Sequence, residues 1–409
     1  MKIDACRSCG SHHLVPVLSL GETPLANALL TREQLSQPEA FYPLEVVFCE
    51  DCALVQITET VPPEILFRDY VYFSSVSSTV VENAREIVER VIAEHFLTTK
   101  SFVLEIASND GYLLQFYQQA GIPVLGIEPA RNIAFKAKEK GVPTIPEFFD
   151  LNLARSLAER GIFADVIHAN NVLAHVANLN DLVVGVATVL KTNGVGIFEF
   201  PYLRDLIERN EFDTIYHEHL CYYSLTSVKR LFNQHGLAVV DVERIPIHGG
   251  SLRLFVSPEK PSQIISDRVP ALLTEEFQIG MTDVDYYLSF GARVKQLQSS
   301  LCNLLHELRK KGYCIAAYGA SAKGATLLNT FNIGADELDF IVDLSPAKQN
   351  LFAPGTHLPI VAPNQLLAKK PDYVLLLTWN FTAEILAQQS EFRKQGGKFI
   401  IPIPAISIV

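Results

Sequence analysis

The stretch Phe102 to Pro129, FVLEIASNDGYLLQFYQQAGIPVLGIEP, reads as strand, tight loop, helix and strand. Val103, Leu104 and Ile106 make a short buried strand. Ala107-Ser108-Asn109-Asp110-Gly111 is a loop of small and turn-forming residues. Tyr112 to Gln119 is a helix that Gly121 can terminate. Val124, Leu125 and Ile127 form the next strand, which ends on Glu128. A carboxylate at that tip, about 20 residues past the loop, can accept hydrogen bonds from a ribose diol. The loop is not the glycine-rich GxGxxG turn. Glu105 and Asp110 put negative charge where a pyrophosphate would sit. That charge disfavours a dinucleotide and suits a cofactor with a positive centre and no phosphates. S-adenosylmethionine (SAM) meets both requirements, with Glu105, Ala107, Asn109, Asp110, Gly111 and Glu128 as its expected contacts. The competing reading is an ordinary βαβ unit without a ligand.

A chain of 409 residues predicts two or three domains. With 48% hydrophobic and 19% charged residues it has the composition of a core-rich globular protein. The net charge of −11, without a Lys/Arg cluster, argues against nucleic acid and against anionic membrane. No apolar run reaches the roughly 18 residues of a spanning helix, and MKIDACRSCG has no apolar signal segment. A cytoplasmic protein is expected, its seven cysteines serving as thiols or metal ligands rather than disulfides.

Cys6-Arg-Ser-Cys9 and Cys49-Glu-Asp-Cys52 are two CxxC knuckles. Four soft thiolates around one tetrahedral ion predict a structural zinc. Val46 to Phe48 and Ala53 to Ile57 are expected as the strands of a zinc-stapled hairpin. A redox pair competes, but two knuckles without a thioredoxin-like context argue against it. His12 and His13 are spare ligands at most.

Pro62-Pro63 marks a boundary. Tyr70 and Tyr72 are either core aromatics or the lining of a pocket above the cofactor loop. Val80 to Leu97 is an amphipathic helix. Ala164 to Asn171 is a strand with a polar end, Leu182 to Leu190 a helix, Asn193-Gly194 a turn, and Gly196 to Pro201 a strand. Ligands collect at strand carboxyl ends in an open α/β sheet. That rule places residues 107–111, Glu128, Asn170, Asn171 and His175 on one edge.

Tyr216-His-Glu-His-Leu-Cys-Tyr-Tyr223 is a dense acid/base run. Its two histidines are two apart, not four as on a zincin helix. On an extended segment His217 and His219 would share one side, although an irregular loop voids that rule. His248-Gly-Gly-Ser251-Leu-Arg253 precedes a strand at Leu252 to Val256, and its glycines permit close approach of a ligand or serve a bulge. Pro258 to Pro261 is a linker, and Val284 to Lys311 a long helix with a leucine stripe. Gly319-Ala-Ser-Ala-Lys-Gly324 opens a second βα unit. Its backbone amides, the helix dipole and Lys323 make an anion site. Strands follow at Leu338 to Val342, Tyr373 to Trp379 and Lys398 to Pro402.

Taken together, CxxC…CxxC, EIASNDG, NNVLAH, YHEHLCYYS, HGGSLR and YGASAKG resemble the SAM-dependent C-methyltransferases of nucleotide-linked deoxysugars. The resemblance covers essentially the whole chain. It implies an α/β protein with a zinc-stapled N-terminal domain (1–65), a central Rossmann-like SAM domain (66–255) and a C-terminal Rossmann-like domain (256–409) that binds the sugar nucleotide. By motif position, Tyr70, His175, Tyr216, Glu218 and His219 match residues of the family's active site. Tyr72, His248, Ser251, Arg253, Ser321 and Lys323 are expected against the substrate. That substrate is expected to be a thymidine-diphosphate-linked 4-keto sugar methylated at C3, and the enzyme a monomer. Ala107 stands where many methyltransferases have glycine.

The chemistry also follows without the family. Methylating a carbon needs a carbanion equivalent, and a neighbouring ketone lets the proton leave as an enolate. A histidine within reach suits the base, and His219 is the candidate, with Tyr216 and His175 as donors to the enolate oxygen and Glu218 tuning them. A methyltransferase acting on oxygen or nitrogen, or a non-catalytic SAM-binding scaffold, are the rival readings.

Overall fold

The computed structural model describes residues 1–67 and 73–409. Tyr70 and Tyr72 lie outside the described residues, as does the side chain of His248.

The strands of the described residues form three sheets. The first is antiparallel, in the order Leu14–Pro24, Phe41–Cys49, Val55–Ile57 and Cys221–Tyr222. Val46 pairs with Ile57 and Phe48 with Val55. Between them the second knuckle is the turn: Ala53 N–H donates to Cys49 O at 2.8 Å, and Ala53 takes a left-handed φ of 61°. The expected hairpin is therefore present. Its outer edge is covered by a strand from far along the chain, since Val55 pairs with Tyr222 and Gln56 with Cys221.

The second sheet has seven strands in the order Leu237–Ile245, Ser251–Pro258, Leu190–Pro201, Ala164–Asn170, Val103–Ile106, Val124–Ile127 and Thr144–Ile145. The last five are parallel and the first two antiparallel. Val103–Ile106 is buried throughout, as an interior parallel strand must be. Its side chains alternate between the two faces. Val103 packs in a cluster with Ile87, Val88 and Val91 of the helix Ser78–Glu94, and Leu104 packs in the cluster that holds Leu157 and Val183 on the other side. From this strand the chain winds one way to Thr144–Ile145, then returns and winds the other way through Ala164–Asn170. The switch point lies at Ala107 and Asn171, where an open α/β sheet binds ligands. The turn expected at Asn193-Gly194 is instead a bulge inside one long strand, because Leu190 pairs with Ala164 while Val195 already pairs with Val166.

The third sheet runs Ile360–Val361, Ile341–Val342, Ile315–Tyr318, Tyr373–Leu376, Lys398–Ile401 and Ser407–Ile408, parallel except for the last. The expected strand at Leu338 shortens to two residues, and Trp379 lies beyond its strand in a 3-10 turn. Gly319, at φ 98°, sits on the switch point; a Cβ there would come within 2.4 Å of Thr378.

The helix Val284–Lys310 buries Leu297, Leu301, Leu305 and Leu308, a stripe at helical spacing. It connects two units. A Cβ on Gly291 would lie 2.7 Å from Val17 O in the first sheet, and Gln298 Nε2 donates to Thr330 O of the helix Ala322–Phe331 at 3.1 Å. No helix among the described residues is long and apolar enough to cross a membrane.

Candidate active site

The sulfurs of Cys6, Cys9, Cys49 and Cys52 lie within 4.8 Å of one another. Such a set fits one tetrahedral zinc with no open position, so the ion is structural. Gln56 Nε2 donates to Cys6 Sγ at 3.2 Å. His12 is engaged with Asp4 O and His13 with Asp51, so neither joins the cluster.

At the first switch point the loop is wound tightly: Ala107, Asn109 and Gly111 all have positive φ. Glu128 closes it, accepting from Asn109 N–H and Ala130 N–H, both at 2.9 Å. Burial pushes the Glu128 carboxyl up to about 7, against the pull of those two amides. Glu105 is 1% exposed, and neither of its oxygens has a hydrogen-bond partner among the described residues. Burial first, then Glu128, Asp110 and Glu199, hold its carboxyl far above the usual range. Asp110 Oδ2 accepts from Lys140 at 2.6 Å and from the Ser75 hydroxyl, while its Oδ1 and Asn170 Oδ1 are buried without partners among the described residues. Asn170 Nδ2 reaches Tyr112 Oη at 3.3 Å, and Asn171, at φ 56°, donates its N–H to Glu199 O. Buried carboxylates with unused oxygens fit a ligand that brings positive charge and donors, as the sulfonium, ammonium and ribose of SAM do. Beneath the loop, His168 Nε2 hydrogen-bonds Tyr117 Oη at 2.8 Å, and burial lowers that histidine to about 3.

The acid/base run is an irregular loop, and the alternation rule lapses in it. His217 and His219 diverge. His217 is buried against the first sheet, its Nε2–H donating to Pro43 O at 3.2 Å and its ring near Tyr42. His219 instead packs on Tyr216, ring centroids 4.2 Å apart, and on the edge of His175 at 4.9 Å. His219 Nδ1–H donates to Thr214 O at 2.8 Å, which leaves the lone pair on Nε2, 3.1 Å from the Tyr216 hydroxyl. His175 Nδ1–H donates to Glu218 O at 2.7 Å, and burial holds this ring neutral, near 4. A neutral ring protonated at Nδ1 accepts at Nε2 rather than donates. Glu218 is buried, its Oε1 accepting from Asn27 Nδ2 at 2.6 Å, and desolvation pushes it up to about 7. The loop is pinned on both sides: Leu220 N–H donates to Ala174 O, and Ile57 N–H donates to Leu220 O.

The carboxyl edge of the third sheet faces this loop. Trp379 Nε1–H donates to Asp213 Oδ2 at 2.7 Å, and Lys323 Nζ lies 4.5 Å from the Trp379 ring centre. Burial raises Asp213 to about 6 and Glu211 to about 7, and the Lys323 charge pulls both back. Ser321 caps the helix Ala322–Phe331, accepting from Gly324 N–H at 3.1 Å.

The whole chain has a close relative in C-methyltransferase NovU from Streptomyces niveus, 36% identical over 407 residues, covering 100% of this chain and 97% of that protein. A family described as a zinc binding domain matches residues 6–67, one described as a methyltransferase domain matches 80–242, and the C-methyltransferase C-terminal domain matches 246–404. The chain belongs to the C-methyltransferase family. Among solved structures, magnesium protoporphyrin IX methyltransferase from Synechocystis with bound SAM is similar over 44% of this chain and 79% of its own, at 14% identity and a TM-score of 0.34. A SAM-dependent methyltransferase from Clostridium acetobutylicum covers 44% and 92%, at 13% and 0.36.

This C-methyltransferase uses SAM as methyl donor and holds a structural zinc on its four knuckle cysteines. Its fold brings Tyr216, Glu218 and His219 together with His175, and places residues 107–111, Glu128, Asn170 and Asn171 at one switch point. Other expected contacts lie elsewhere. Arg253 is buried, with Nε on Glu199 Oε1 at 2.6 Å and Nη2 on Asn83 Oδ1 at 2.8 Å, so it ties the sheet to the covering helix rather than facing a substrate. Ser251 is buried, its hydroxyl donating to Ile247 O. The glycines beside it make room for the protein's own acids: a Cβ on Gly250 would lie 2.3 Å from Asp205 Oδ2, and one on Gly249 2.9 Å from Glu211 Oε2. Asn27, Asp213 and Trp379 escaped the sequence reading. Trp379 left a signal, being the single tryptophan of the chain, set just past the end of a strand.

Proposed function

We propose that this C-methyltransferase acts on a nucleotide-linked 4-keto deoxysugar, methylating C3 through an enolate. The observation that carries the reading is His219, fixed by Thr214 O in the tautomer of a base, with Nε2 beside Tyr216. A ketone at C4 acidifies the C3 proton. His219 takes it at Nε2, and the Tyr216 hydroxyl, displaced from that nitrogen, is placed to donate to the enolate oxygen. Glu218, ionised, compensates the imidazolium. Bound SAM supplies the electrophilic methyl group for the nucleophilic carbon. Asp110, Glu105 and Glu128 orient it, and proximity replaces a bimolecular encounter. The substrate's diphosphate lies at the amide-rich loop 319–324 with Lys323, across the catalytic loop from the SAM edge. A phosphate there would compete with Asp213 and Glu211 for the field of the Lys323 charge.

The test is His219→Ala, assayed with a thymidine-diphosphate-linked 4-keto-6-deoxyhexose. General-base catalysis contributes about 10²–10⁴-fold, so kcat should fall by that order while SAM affinity holds. Solvent deuterium entry at C3 should fall with it. Exchange at the wild-type rate would assign the base elsewhere; Tyr216 would then be next, since His217 is turned into the first sheet.

A further inference from the structure

We propose that Asn27, delivered by the zinc-bearing unit, is a positioning residue that aims the Glu218 carboxylate into the catalytic loop. The inference rests on the reading of Glu218 as part of the catalytic set. Asn27 follows the strand Leu14–Pro24 and lies in a short turn closed by Ala28 N–H to Leu25 O. Three residues on, Leu30 and Phe352 exchange both backbone hydrogen bonds, so the segment is anchored to the first sheet at one end and to the third unit at the other. Between these anchors the Asn27 amide crosses to Glu218, Nδ2 to Oε1 at 2.6 Å, over a sequence separation of 191 residues.

Glu218 has two attachments with different roles. Its backbone oxygen takes His175 Nδ1–H, which fixes where the residue stands. Its side chain takes Asn27 alone among the described residues, with Oε2 buried and unpartnered. A buried carboxylate without a donor would protonate or swing toward water. A neutral amide supplies one donor without neutralising the charge, and leaves Oε2 for the neighbouring imidazole or the substrate. A lysine or arginine there would quench the charge that the imidazolium needs. The zinc site thus serves catalysis at a distance: it stiffens the sheet from which Asn27 is extended.

A tether that only holds two units together would give a different result from one that acts through Glu218, and a double-mutant cycle separates them. The variants are Asn27→Ala, Asn27→Asp, Glu218→Gln and the Asn27→Ala/Glu218→Gln pair, in the full-length zinc-loaded enzyme. S-adenosylhomocysteine formation is followed with the thymidine-diphosphate-linked 4-keto-6-deoxyhexose, and SAM binding by calorimetry. Loss of a hydrogen bond to a charged group should lower kcat about tenfold for Asn27→Ala. The SAM dissociation constant and zinc content should stay at wild-type values. The double variant should be no slower than Glu218→Gln. Asn27→Asp, of the same size but lacking the donor, should lose at least as much, and it carries the test if the alanine protein does not fold. Losses that multiply in the double variant, with Glu218→Gln itself impaired, overturn the role of Asn27 alone. Wild-type kcat in Glu218→Gln overturns the reading of Glu218, and Asn27 falls with it.

Discussion

Glu128 and Asp343 stand at the same place in two different sheets. Each follows the second strand of a βαβ unit. Each accepts an N–H from the loop after the first strand, Asn109 in one and Ala320 in the other, and an N–H from the residue two positions on, Ala130 and Ser345. The backbone device is the same, but the charges around it are not. The first loop has Glu105 inside its strand and Asp110 at its tip, both buried with oxygens unused among the described residues. The second follows the apolar strand Ile315–Tyr318 and leads into a helix that carries Lys323, while Lys348, from beyond the second strand, donates to Ala320 O at 2.8 Å. On the function proposed above, one edge takes a cation and the other an anion. Side-chain charge, not fold, assigns the ligand.

Glu105→Gln should break this contrast most severely. If the carboxylate recognises the sulfonium side of SAM, affinity should fall about 10–100-fold, the range of a lost charged contact. S-adenosylhomocysteine, which lacks that charge, should lose much less in the same calorimetry. Equal losses would make Glu105 a shaping residue only. Glu128 gives a smaller effect and a pH signature. Burial raises it from 4.5 to about 7, so it is mostly protonated at pH 6 and mostly ionised at pH 8 in the ligand-free protein. Ribose hydroxyls donate better to the carboxylate. SAM affinity should therefore rise about tenfold between those pH values and level off above. Glu128→Ala should cost about tenfold at pH 8 and flatten the slope; a slope that survives belongs to another group. The sign for stability is opposite. The unfolded chain ionises first, so this group's contribution to the ligand-free fold declines as pH rises from 4.5 to about 7. The smallest effect is expected at Lys323. Lys323→Ala should raise KM for the sugar nucleotide several-fold, about 1 kcal/mol of a partly exposed charge, and leave SAM affinity alone. Weaker SAM binding instead would reverse the assignment of the two edges.

Much of this was legible in the chain because the signals are local. The knuckles and the hairpin between them, the strand-loop-helix-strand from Phe102, and the leucine stripe from Leu297 each depend on residues a few positions apart. What the sequence hid depends on distant partners. Nothing near Asn27 announces Glu218. Nothing near Arg253 announces Asn83 and Glu199, so an arginine beside two glycines looked like a ligand contact. His217 and His219 carry the same chemistry two residues apart, and what turns them apart is tertiary contact, Pro43 O for one and Thr214 O for the other. Asn193-Gly194 has the composition of a hairpin turn, but parallel pairing on one side of its strand left it only a bulge.

The strand Cys221–Tyr222 sets an order of events during synthesis. Until it emerges, Val55-Gln56-Ile57 presents an open edge of unpaired amides and carbonyls, with apolar side chains on both flanks. At the usual rate of about 5–20 residues per second, that edge waits on the order of ten seconds or more before the chain that covers it is made. The nascent zinc sheet is thus most open to wrong pairing before the catalytic loop exists, and the loop that carries His219 is also the cap that closes it.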